Sequence, residues 1–293
     1  LPEYSSLTYR RPYDRGYLVD CELEFIIWDH IFRQMNHGGS GGVRPHETRL
    51  VMSRQPFTPV TLQTDTEQLV FEHFGFAEYC SLSCAYLNFY NCFQPSPLSP
   101  SPSSASLALH ELIRSSASAL IVDSGFSFTN IIPVVNHRIL PKGIKRVNIG
   151  GKALTNYLKE TVSMRYYDMR DETYLMNIIK ERMCLVSLDF MNELNETEYS
   201  RQLQQSYVLP DYQTSMRGHV KTDGVFRRDE QILTLNNERI AVPELLFHPS
   251  DVGMMQAGIP ETIVNSVKSG TGDGDEVSQA ILYDTIVLVG GNA

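Results

Sequence analysis

The chain has 293 residues, 42% of them hydrophobic and 10% aromatic, and a formal charge of −9. That length and apolar content exclude an intrinsically disordered chain and suffice for one large or two ordinary globular domains. The acidity argues against a broadly basic nucleic-acid face and favours basic partners such as histones, and no run of eighteen uncharged apolar residues marks a membrane span.

Leu23, Ile26, Ile27, Ile31 and Phe32 fall at helical spacing, with Trp28 adding aromatic bulk, and predict an early helix. A glycine-rich break at His37 to Gly42 follows, then a short strand over Thr48 to Ser53. Glu67 to Tyr90 carries two helical patterns broken around Gly75. Cys80 and Cys84 lie one helical turn apart, but without a second ligand pair they read as small buried hydrophobes rather than zinc ligands. The odd count of five cysteines fits a reducing compartment. Between Gln94 and Ser106 the chain becomes rich in Pro and Ser, which predicts an exposed insertion; its Ser-Pro pairs suit either a solvated linker or phosphorylation.

The run Ala119 to Val134 carries the most information. An apolar strand ends in Asp123-Ser124-Gly125, turns, and returns as a second strand. A carboxylate at a strand end can hold metal-bound water while turn amides form an anion nest, which is nucleotide-binding chemistry. The same residues also suit an ordinary hairpin whose Asp and Ser satisfy turn backbone. Lys145 to Gly150 reads as a strand, and Leu154, Tyr157, Leu158 and Val162 as one face of the next helix, entered at Gly150-Gly151. Those glycines suit close ligand approach or close helix–strand packing.

A single helix is predicted over Tyr174 to Leu194, burying Leu175, Ile178, Ile179 and Val186 and leaving Lys180 and Glu181 on a solvated face. Glu196 to Arg228 shows no periodicity and reads as an extended insertion. Gln231 to Val242 alternates around Asn236-Asn237 as a predicted hairpin. The sequence closes with an apolar strand, Ile286 to Val289, running into Gly290-Gly291-Asn292.

Together these pieces resemble the actin family from about Arg11 to Ala293. Asp123-Ser124-Gly125 is similar to its second phosphate loop, and Ile149 to Leu158 to the helix entry beyond it. Ile179 to Phe190 is similar to the adenosine-side helix, and Gly290-Gly291-Asn292 to the adenosine loop. Tyr207 to Tyr212, Met216 to Val220, Leu235 to Phe247, Arg10 to Leu18 and Pro249 to Gly253 add a likeness to the nuclear actin-related class found in histone-variant-exchanging chromatin remodelers. The resemblance implies an α/β, actin-like (ribonuclease H-like) two-lobed fold. It divides the chain into a partial outer lobe over 1–93, an insertion and linker over 94–117, and an inner lobe over 118–293 with a class-specific insertion near 196–231.

The same resemblance implies that Asp123 faces the water shell of a magnesium ion, with Ser124 and Gly125 approaching the phosphates of ATP. Lys180 and Glu181 would flank adenine and ribose, and Gly151, Gly290 and Gly291 would close over the nucleoside. Where actin has an acidic residue and a glycine after Asp-Ser-Gly, this chain has Phe126 and Ser127; Cys84 takes the place of a water-orienting Gln. The family's first phosphate loop and the end of its second half are unmatched, which implies a chain truncated at both ends and marginally stable alone. The expected function is a nuclear, non-catalytic scaffold subunit of a chromatin-remodeling complex, with Tyr212 to Arg228 as the partner surface and no membrane or sequence-specific nucleic-acid contact. The rival is an ATP-hydrolysing actin-like or sugar-kinase-like enzyme.

Overall fold

The computed structural model describes residues 10–37, 43–92, 111, 115–213, 215–222 and 230–293. Most of the Pro/Ser-rich segment expected at 94–117, and 214 and 223–229 of the expected partner surface, lie outside the described residues.

Among the described residues the central sheet has five strands. Ala119–Ser124 (β5) and Thr129–Val135 (β6) form an antiparallel hairpin, with Ile286–Val289 (β12) parallel on the free side of β5 and Arg138–Ile139 (β7) and Lys145–Val147 (β8) on the far edge of β6. The register sets Asp123 opposite Asn130 on one side and Val289 on the other. Leu120, Ile121 and Val122 are all buried, so consecutive rather than alternating residues are apolar, as in any strand covered on both faces. Cys84–Asn91 (α3) covers one face, packing Ala85 and Phe89 on Ala119, Ile121, Ile132 and Val134. Ile259–Thr271 (α8) and Glu276–Asp284 (α9) cover the other, packing Val267 and Leu282 on Leu120, Val122 and Ile131.

A second core joins Gly151–Arg165 (α4), Thr173–Met183 (α5) and Glu238–Glu244 (α7) to a sheet in which Gln205–Val208 (β9) lies between His219–Val220 (β10) and Ile232–Leu235 (β11). Tyr207 of β9 is fully buried, its hydroxyl donating to Arg217 O at 2.6 Å. The stretch read as an insertion without periodicity therefore supplies the middle strand of a sheet. Four-residue strands are too short to print a clear alternation.

Three further predictions are corrected. The helix expected over Tyr174 to Leu194 is two: α5 ends at Met183, and a second, Phe190–Tyr199 (α6), begins after a turn in which Val186 is exposed. Asn236-Asn237 opens α7 rather than turning a hairpin. The Glu238 carboxylate accepts from Asn236 N–H at 2.9 Å and from Arg165 at 2.7 Å, and fixes that helix start. In the first half, Glu78–Ser83 (β4) is a strand parallel to Arg49–Arg54 (β3), so Cys80 sits exposed on a strand and only Cys84 begins a helix.

The remaining elements are a short hairpin of Tyr13–Asp14 (β1) and Tyr17–Leu18 (β2), the helix Cys21–His37 (α1), and Val60–Gln68 (α2) continued by a π-turn to His73. In α1 the buried side is aromatic: Phe25, Trp28 and Phe32 pack on Phe74, and Phe32 also on Phe76, while Ile26 and Ile31 of the expected apolar face are exposed.

Candidate functional site

Three loops converge at the carboxyl ends of β5 and β12. The β5–β6 turn is closed by Gly125 N–H donating to Phe128 O at 3.0 Å. The start of α4 docks on it: Gly151 N–H donates to Gly125 O at 3.0 Å and Lys152 N–H to Phe126 O at 2.7 Å. After β12, Asn292 reaches in with its amide, Nδ2 donating to Gly125 O at 2.7 Å and Ser124 Oγ at 3.2 Å, while its backbone N–H donates to Ser124 O. Two glycines make the convergence possible. A Cβ on Gly150 would stand 2.5 Å from Gly125 O, and one on Gly290, which has φ of +108°, 2.2 Å from Ser124 O.

Asp123 is half-buried at this junction, and burial pushes its carboxyl above the usual 3.8. Among the described residues, no hydrogen bond or ion pair satisfies it. A desolvated, unpaired carboxylate beside exposed turn backbone is a costly arrangement that a bound cation or its water would relieve. Ser124 is different: it is buried, its hydroxyl meets Thr129 Oγ1 at 3.1 Å, and Thr129 in turn donates to Ile149 O. The Ser124 side chain thus braces the turn from behind. Cys84 lies near Asp123 and donates its thiol to Arg54 O at 3.6 Å; burial, and secondarily the Asp123 charge, push that thiol up.

On the other side of Gly151, Lys180 is buried, contrary to the solvated face expected from helical spacing. Its ammonium donates to Gly151 O and to Asn177 Oδ1, both at 3.1 Å, and burial draws its pKa down. Thr155 donates to Gly151 O at 2.8 Å, and Asn177 Nδ2 to Glu181 Oε1 at 2.7 Å, which leaves Glu181 exposed with its carboxylate steadied. A continuous set of contacts thus runs from Ser124-Gly125 through Gly151 to Lys180, Asn177 and Glu181. Gly291 has open space around it. Beside this set is a cavity of about 480 Å³ whose wall includes Arg11, Phe126, Lys152, Thr155 and Asn177; the Arg11 guanidinium lies 4.4 Å from the Phe126 ring centre. Asn177 goes unnoticed in the sequence, and Thr155 and Asn292 are read only as members of matched motifs, with no role of their own, since a lone Asn or Thr carries no spacing signal.

The sequence profile of the family described as Actin matches residues 2–293. The chain belongs to the actin family. It is 35% identical to Actin-related protein 6 of Arabidopsis thaliana over 316 residues, covering 99% of this chain and 70% of that protein. Actin-related protein 6 of Neurospora crassa is 36% identical, with 99% of this chain and 67% of that protein covered, and that of Drosophila melanogaster 34%, with 99% and 69%. The mixed sheet-and-helix architecture is the two-lobed actin fold, which commonly binds nucleotide with magnesium. The donor set fits such a ligand: Asp123 offers an uncompensated negative charge, Gly291 an unobstructed backbone, and Glu181 an oriented acceptor for hydroxyls.

Proposed function

We propose that this chain is a non-catalytic actin-related scaffold subunit of a nuclear, histone-variant-exchanging chromatin-remodeling complex, holding ATP with magnesium at the β5–β6 turn without turning it over. What carries the reading is the 34% to 36% identity, across 99% of the chain, to relatives each called Actin-related protein 6. Bound magnesium would neutralise phosphate charge. Asp123 would hold its water shell, Gly125 would bring turn backbone close to phosphate, Glu181 would accept from ribose hydroxyls, and Lys180 would keep Gly151 against the nucleoside.

Slow or absent turnover is supported by two side chains. Cys84 stands near Asp123 with a thiol engaged by the Arg54 carbonyl, and a thiol cannot both donate to and accept from a water as an amide does. Phe126, in the turn itself, offers an aromatic ring under Arg11 where a general base or a water-ordering acid would be wanted. Calorimetric titration of magnesium-ATP into the full-length protein tests the binding, with Asp123→Ala and Glu181→Ala as comparisons. Saturable binding lost in both, phosphate release no faster than buffer, and co-purification with remodeler subunits are expected. Multiple-turnover phosphate release abolished by Asp123→Ala would instead establish the ATP-hydrolysing enzyme.

A further inference from the structure

One face of the β5–β6 hairpin is built from facing pairs. Ala119 stands opposite Val134 and Ile121 opposite Ile132, all four buried against α3. The alternation of a strand carries that face onward to Asp123, which stands opposite Asn130. The apolar column therefore ends in a carboxylate and an amide, beside Cys84, the first residue of α3, whose thiol feels the Asp123 charge. Side chains paired in this way have Cβ atoms about 4.5–5.5 Å apart, close enough for one water to touch both.

Asn130 is only 1% exposed, so both ends of its amide need partners. Nδ2 donates to Gln55 Oε1 at 3.2 Å, in the loop between β3 and α2. Oδ1 is wholly buried and, among the described residues, accepts from nothing. Because Gln55 holds Nδ2, Oδ1 is fixed on the other branch of the amide. The facing Asp123 also has no hydrogen bond or ion pair among the described residues, and the Cys84 thiol is turned aside to Arg54 O. Two adjacent acceptors without a donor form a costly arrangement, and a single water, with two hydrogens to give, relieves both at once.

We propose that Asn130 is a positioning residue for the hydration shell of the cation at Asp123. Its Oδ1 and the Asp123 carboxylate accept the two hydrogens of one water of that shell, and Gln55 holds the amide in the orientation this requires. The inference rests on the nucleotide-binding reading above and adds to it a second acceptor, drawn from β6, with its own support from the β3–α2 loop. Oδ1 is out of reach of bulk solvent, so what it contributes is confined to the metal-loaded complex.

The test measures a ratio in the full-length protein by calorimetric titration: affinity for ATP with magnesium over affinity for ATP in EDTA. Asn130→Leu, which keeps the branched shape without donor or acceptor, should lower that ratio at least fivefold while changing the EDTA affinity less than twofold. Gln55→Met, which keeps the length of the side chain and lies off the sheet, should lower the ratio at least threefold by freeing the amide to turn. Should Asn130→Leu fail to fold by circular dichroism, Gln55→Met alone decides. A parent protein that binds no ATP in either condition would remove the nucleotide-binding reading and this inference with it. A parent that binds ATP equally with and without magnesium, variants that keep the parent's ratio, or variants that lose both affinities alike, as a merely structural amide would, leave nucleotide binding standing and overturn the role of Asn130.

Discussion

Among the described residues Asp123 is an ionisable group held in the fold without a partner, and burial gives that a measurable sign. Its folded pKa lies above the ordinary 3.8 because burial disfavours the charged form. Its contribution is therefore fully present below about 3.8 and is lost as pH rises through the folded value, so at pH 7 the ionised carboxylate works against the fold. Asp123→Asn should raise the melting temperature of the ligand-free protein at pH 7, and that gain should vanish as the pH approaches 3.8. Calorimetric scans from pH 7 downward check this. Two glycines separate structure from binding in the same loop. Gly290→Ala meets both a positive φ and the Ser124 carbonyl and should cost at least about 2 kcal/mol in denaturant unfolding. Gly291→Ala meets nothing and should leave stability unchanged within roughly 0.5 kcal/mol, so any loss of nucleotide affinity in that variant reports the approach of backbone to ligand.

At the scale of elements, the hydrophobic hairpin β5–β6 was legible because six consecutive residues of β5, flanked by turn chemistry, can only be a strand covered on both sides or a helix too short to stand. The start of α7 was not legible. Asn236-Asn237 is a turn signal on its own, and what overrides it is the Glu238 carboxylate, almost completely buried and held by the Arg165 guanidinium from α4. Glu238→Ala removes both contacts and leaves Asn236 N–H without its acceptor, and should cost about 2–3 kcal/mol. Urea unfolding measures that loss, and loss of native contacts at β11 by amide exchange locates it. Similarly, the break between α5 and α6 has no proline or glycine to announce it; Leu185 N–H turns aside to donate to Arg239 O, a partner more than fifty positions away.

Across the whole molecule, the hairpin β1–β2 ties the first part of the chain to the central sheet. Arg146 of β8 donates to Tyr17 Oη at 2.5 Å and to Arg15 O at 3.1 Å, and its guanidinium lies 4.0 Å from the centre of the Phe128 ring. Tyr17 in turn donates to Pro56 O, and Asn130 Nδ2 to Gln55 Oε1, so the hairpin, the β3–α2 loop and the β5–β6 turn form one linked unit. Arg146→Ala should speed amide exchange across Tyr13 to Leu18 by at least tenfold while leaving β5 protected. Mass-resolved exchange of the full-length protein reads both regions at once.

Composition and local pattern by themselves determined the class of this protein. Paired apolar runs meeting at Asp123-Ser124-Gly125, glycines at the entrance of α4 and after β12, and helical spacing in α4 made a mixed α/β architecture and its turn residues readable, because these features depend on neighbours in the chain, while the actin-like fold came from the resemblance of longer motifs such as Ile149 to Leu158 and Leu235 to Phe247. Tertiary structure alone decided the rest. Lys180 is buried rather than solvated because α4 offers it the Gly151 carbonyl and α5 the Asn177 amide, and Tyr207 belongs to a central strand because β10 and β11 flank it. Those outcomes turn on partners distant in sequence, the Gly151 carbonyl for Lys180 and the strands β10 and β11 for Tyr207, and no local spacing records which partner a polar group will meet.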